Sequence, residues 1–236
     1  MDKIDTDAFD PANEPDSEKF HRLARVTLGA IPVAGGALAE VFNSVLESPL
    51  NKRRTEAMVQ IGEVINDLLE KGVVTIDGLQ ENDAFISTVS EVCSITLRNH
   101  EEEKLKALRN AVKNSALPTC PSDDYRQIFL NFVDVCTATH IRLLVFLDDP
   151  EDWGRVNGVT YPQSWGMGTI SRVIQAALPE VNDNEELFKV VWADLFQRGL
   201  IDIQEMDSVM SAASTLSRRT TRIGRQLVEF IRDVEL

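Results

Sequence analysis

Cys136 and His140 are four residues apart in FVDVCTATHIRLL, a spacing that permits one shared helix face and hence a thiolate–imidazole couple. The interval Thr137-Ala138-Thr139 offers residues that break and re-cap a helix between them. A buried structural thiol is inert, so the expectation is a packed Cys136 and a capping or core His140. His21 and His100 add no zinc-binding His pair at helical spacing. DDPEDW (148–153) clusters four acids, the residue type that binds divalent cations or does acid–base work. They surround a proline at a helix end without the periodic ligand order of a calcium loop, which predicts a solvated turn with Asp149 capping a short helix at Pro150. GxxxxxGG, Gly29 to Gly36, lacks the Lys-Ser/Thr of a P-loop and the order of a dinucleotide turn. With no nucleophile-elbow, zincin or kinase pattern present, the expectation is a non-enzymatic chain with no catalytic residues, no cofactor and no metal.

Two basic patches stand out in a chain of formal net charge −14. Lys52, Arg53 and Arg54 lie in PLNKRRTE, at the predicted start of a helix, where the dipole disfavours cations. They read as an anion or partner site, or as ion pairs with Glu47, Glu56 or the acidic N-terminus. Arg218, Arg219, Arg222 and Arg225 form the second patch. The net charge opposes long-range attraction to nucleic acid and anionic lipid, which makes nucleic acid an unfavoured partner.

LGAIPVAGGALAEVF, Leu28 to Phe42, is the least polar stretch. Val26 to Ala39 contains 14 uncharged residues, short of the roughly 20 that span a bilayer. Extension to Leu46 encloses Glu40, Asn43 and Ser44, and the Pro-Gly-Gly break frees backbone groups that lipid cannot satisfy. The reading is a helical hairpin packed in the core or on a partner, with Leu28, Ile31, Pro32, Val33, Leu38 and Phe42 as the membrane or partner contacts. Membrane insertion is the minority alternative.

The elements that would position these residues are helical. Residues 1–17 read as a flexible acidic tail, and 18–30 and 37–47 as helices around the Pro32 break. Ser48-Pro49 reads as an N-cap and first position of a helix ending at Gly72. VVTIDGL is expected to be extended or a turn. Helices follow from Asn82 or Asp83 and over EEEKLKALRNAVKNSAL, and Pro118 and Pro121 mark the boundary between portions 18–117 and 122–236. Ser122-Asp123-Asp124 opens a further helix, with Tyr125, Phe129, Phe132 and Val133 as the apolar stripe, and helices follow over HIRLLVFLDD, 169–178, 184–198 and 221–232. LIDI and LSRRT are the expected strands. Three scattered cysteines without CxxC spacing read as reduced thiols of a cytoplasmic protein, and the N-terminus lacks secretory-signal features.

FVDVCTATHIRLLVFLDDPEDW, EEKLKALRNAVKNSAL and the ending DLFQRGLI…TRIGRQLVEFI resemble segments of uncharacterised bacterial helical proteins. The resemblance implies a mainly α fold with a winged-helix-like C-terminal part, at 168–236 here, and no activity. The combined expectation is a bundle-like N-terminal portion, a winged-helix-like C-terminal portion, and a protein-interaction or scaffold role with a protein partner or a homo-oligomer. The alternatives are a membrane-acting effector using 26–46 and a transcriptional regulator using 168–225. In the latter the reading helix, 185–198, carries Glu185, Glu186 and Asp194 against Lys189 and Arg198, a poor charge set for phosphate.

Overall fold

Helices form wherever the sequence repeats apolar residues at three and four, and the chain is mainly α. The computed structural model describes residues 37–161 and 167–234, without the side chains of 37–48, 167, 212 and 213. The acidic tail, the 18–30 helix and the contacts Leu28, Ile31, Pro32 and Val33 lie outside the described residues. Leu38 and Phe42 lie on a helix, but their side chains are outside them too.

Contacts divide the described residues into two compact units, one up to Leu130 together with 233–234, and one from Asn131 to Arg232. The division falls between Leu130 and Asn131, inside a helix, rather than at Pro118–Pro121. Those prolines close a short turn within the first unit. Prolines mark where a helix stops, and a stopped helix is not by itself the edge of a core.

The first unit is built on α1 (Ala37–Glu70), α3 (Asp83–Arg98) and α4 (Glu102–Ser115), each packed on the other two. Leu68, Val92, Ile95, Leu108, Ala111 and Val112 are fully or almost fully buried between them. α1 corrects the expected break: it runs unbroken through Ser48-Pro49, with Pro49 inside it. Proline's fixed φ suits a helix, and only one backbone bond and the space near residue 45 are lost. Lys52, Arg53 and Arg54 therefore lie in mid-helix, not at a dipole-disfavoured start. Gly72 (φ 67°) follows the end of α1 in the left-handed conformation, as expected. VVTIDGL holds a short helix, α2 (Ile76–Gln80), because the Thr75 hydroxyl accepts from the Gly78 N–H and supplies the cap. α3 starts on Asn82, whose Oδ1 accepts from Phe85 N–H at 3.0 Å. Lys113, on α4, is buried yet satisfied: its ammonium donates to Asp233 Oδ1 (2.9 Å) and the Val234 carbonyl (2.7 Å). That hydrogen bond holds the Asp233 carboxyl below its ordinary range.

α5 (Asp123–Val135) carries the division between units. Phe129, Leu130 and Val133 are buried on it, whereas Tyr125, placed on the stripe by periodicity, is exposed.

The second unit continues with α6 (Ala138–Asp148) and α7 (Pro150–Asn157), the latter capped by Asp149, whose Oδ1 accepts from Asp152 N–H, as expected. Tyr161 donates its hydroxyl to the Pro150 carbonyl at 2.7 Å, and burial pushes its pKa up to about 12. Then come β1 (Met167–Thr169), α8 (Ile170–Ala177), α9 (Glu185–Gln197), β2 (Val209–Ser211), α10 (Ala212–Thr215) and α11 (Arg222–Ile231). β1 and β2 pair antiparallel, Gly168 opposite Met210. These strands replace the expected ones. LIDI and LSRRT meet only in an isolated bridge, Ile201 to Thr220. α6 packs on α9 and on α11, with Leu143, Leu144, Phe146, Leu195 and Val228 fully or almost fully buried. Leu227, Val228, Phe230 and Ile231 take the core side of α11, and Ile223 is exposed.

A continuous α1 makes Pro49 an exposed interior proline, so Pro49→Ala should raise the melting temperature. The restored bond outweighs the larger unfolded-state entropy, with a net gain of about 1–2 kcal/mol. A lowered melting temperature by circular dichroism would instead place a helix start at Pro49.

Candidate protein-interaction surface

Two arginines of the C-terminal basic patch, Arg218 and Arg219, are engaged within the fold, while Arg218, Arg222 and Arg225 are also exposed. Arg218 donates from Nε to the Asp148 carbonyl at 2.8 Å and lies 3.2 Å from Asp148 Oδ1. The Thr220 hydroxyl donates to the same oxygen at 2.6 Å, and Asp148 is buried. The Arg219 guanidinium donates to the Ser214 carbonyl, and its backbone N–H donates to the Leu147 carbonyl at 2.8 Å. Arg225 pairs with Glu229 one turn along α11. Arg222 is exposed on the same helix. Of the DDPEDW acids, Asp148 and Asp149 thus serve the fold, and Asp152 pairs with Arg155. Among the described residues no group of three or more His, Cys, Asp or Glu could hold a metal ion.

The resembling pieces GLI and TxxG turn out to be two halves of one contact. Gly199 takes φ 70° after α9. The Thr221 N–H donates to the Leu200 carbonyl (3.0 Å), its hydroxyl donates to the Gly199 carbonyl (2.6 Å), and its Oγ1 accepts from the Gly224 N–H (3.1 Å). Gly224 has no Cβ, and one built there would overlap the Leu200 carbonyl. The motif therefore couples the turn after α9 to the first turn of α11.

Cys136 and His140 are not on one helix. Thr137 starts α6 as its N-cap, and His140 completes a capping box: the Thr137 N–H donates to Nδ1 at 3.2 Å. The Thr137 hydroxyl lies 2.8 Å from the same nitrogen. Nε2 faces Asp194 Oδ2 at 3.3 Å. Arg198 donates from Nε to that same oxygen at 2.6 Å, which holds the guanidinium pKa above its ordinary value, and lies 5.7 Å from the Phe132 ring centre. The two imidazole nitrogens face Thr137 and Asp194, a structural assignment that joins the start of α6 to α9. Cys136 is buried beside a small apolar space lined also by Leu144, Leu195 and Leu227.

The outward side of α9 remains. Phe188, Val191, Trp192 and Leu195 make its buried stripe, and the Trp192 indole N–H donates to the carbonyls of Ile203 and Gln204. Leu187 and Val190 fall off that stripe and are 41% and 61% exposed. Glu185 and Glu186 flank them; Lys189 is paired with Glu185, which raises the ammonium pKa. The charge count of this helix concealed these two residues. Their signal was in the sequence: apolar residues at positions outside the 188-191-192-195 repeat.

At the other patch, Lys52 pairs with Glu56 (3.8 Å), Arg53 Nη1 donates to the Leu97 carbonyl (3.3 Å), and Arg54 Nη1 donates to Asn51 Oδ1 (3.4 Å). Glu56 is one of the expected ion-pair partners. Among the described residues no helix is long and apolar enough to cross a membrane. The chain matches no protein-family model, no curated protein and no solved structure.

Gly224→Ala should destabilise the fold by about 1–3 kcal/mol or more, because the displaced atom is backbone. The neighbouring Arg225→Ala, which removes only an exposed ion pair, should change stability by less than about 0.5 kcal/mol. Equal, small effects in chemical denaturation would refute the close approach.

Proposed function

We propose that this chain is a non-enzymatic protein-interaction module whose second unit, winged-helix-like in its order of strand, two helices and strand, presents the outer side of α9 to a partner. The supporting observation is the pair Leu187 and Val190, exposed one turn apart beside Glu185 and Glu186 on a helix whose one lysine is already paired. Apolar anchors with an acidic rim complement an amphipathic helix carrying Lys or Arg around Leu-type side chains. The same helix presents little free positive charge to phosphate, and Arg218 and Arg219 are engaged within the fold. Protein, rather than DNA, is the partner class that this chemistry favours.

The test uses the full chain and a fluorescent Leu/Lys amphipathic peptide near physiological salt, with duplex DNA and anionic vesicles as competing targets. Binding of the peptide alone is expected, weakened about tenfold in Leu187→Ser/Val190→Ser, since each buried anchor contributes on the order of 1 kcal/mol. Unchanged peptide affinity in that variant, or tighter binding to duplex or vesicle, would refute the reading.

A further inference from the structure

In the first unit a cleft of about 110 Å³ is lined by Arg53, Glu56, Gln60, Thr96, Asn99 and His100. Its volume is well below the roughly 300–1,000 Å³ of pockets for drug-sized molecules, so it suits a fragment of few atoms. Ala57 and Leu105 supply the apolar part of its wall. Three segments build it: the middle of α1, the C-terminal end of α3 with Asn99 and His100 after it, and the first turn of α4.

The polar groups are not equivalent. Arg53 Nη1 donates to the Leu97 carbonyl, which anchors the guanidinium at the cleft; a guanidinium has four further N–H donors. The Asn99 side-chain NH₂ donates to the Ile95 carbonyl, so this residue is fixed by its own helix. The cleft's one carboxylate, Glu56, is opposed by Lys52 at 3.8 Å. Arg53 is thus the fixed charge that Lys52 leaves dominant, and His100 is an exposed imidazole beside it. A planar fork of donors selects a carboxylate, and Gln60 and Thr96 provide neutral hydrogen-bonding groups for the rest of a small ligand.

We propose that this cleft is a carboxylate-binding site centred on Arg53, taking a small organic acid or the acidic side chain of a peptide. It uses an element of the second patch's counterpart, Lys52-Arg53-Arg54, and is independent of the α9 surface.

Titration of the ¹⁵N-labelled full chain with sodium succinate, with the blocked amino acid acetyl-glutamate-amide, and with succinamide tests it. Saturable shifts at residues 53–60 and 96–100 with either acid, and none with the uncharged diamide, are expected. Succinate alone would assign a free small acid; the blocked glutamate alone would assign a partner's side chain. Arg53→Gln should weaken binding about tenfold, as for a charge-assisted bond. Glu56→Gln should tighten it about twofold to fivefold, the effect of one exposed charge. A gain in Glu56→Gln cannot arise from damage to the fold. No saturable shift with either acid, equal binding of the diamide, or no tightening in Glu56→Gln would overturn the proposal.

Discussion

The second unit depends on one buried carboxylate. Asp148 ends α6 at 4% exposure, and an ionised carboxylate at such a place costs several kcal/mol unless it is paired and hydrogen-bonded. From a segment seventy residues further along the chain, the Thr220 hydroxyl donates to that carboxylate and the Arg218 guanidinium pairs with it at 3.2 Å. The Leu147 carbonyl receives the Arg219 N–H alongside them. Once 218–220 is held there, Thr221 reaches the carbonyls of Gly199 and Leu200, and α11 begins where Gly224 lets it approach. The path of the C-terminal chain follows from satisfying one charge.

The same constraint bears on function. An arginine held by a buried aspartate is a poor ligand for phosphate, because its displacement leaves that carboxylate uncompensated. The RR pair in LSRRT reads as a basic wing only while Asp148 is ignored. With Arg218 and Arg219 engaged, the features left facing outward in this unit include an acidic rim and two apolar side chains on α9. His140 and Asp194 follow the same logic: groups that suggest chemistry by type are used in capping and in fixing one helix on another.

Much of the fold was legible because its signals are local. Asn82, Thr137, Asp149, Asn184 and Thr221 cap helices through their own side chains, and Gly72 and Gly199 end helices with positive φ. What was not legible depended on remote contacts. Ser48-Pro49 carries the local signature of a helix start, yet α1 continues because its packing on α3 and α4 outweighs one lost bond. The strand pair 167–169 and 209–211 has only three residues a side and is joined across forty residues, with no alternation long enough to reveal it. At the sites, the Arg53 cleft draws on residues more than fifty apart; spacing within PLNKRRTE could mark the cations but not the side chains that face them.

The most direct test is a double-mutant cycle on Asp148→Ala and Arg218→Ala, followed by chemical denaturation of the full chain. A structural pair predicts that each single substitution destabilises and that the two couple by about 1–2 kcal/mol, as for residues in one hydrogen-bonded network. Additive effects with no coupling, together with an Arg218→Ala protein as stable as the parent, would contradict the account and leave that exposed arginine a candidate ligand-binding cation.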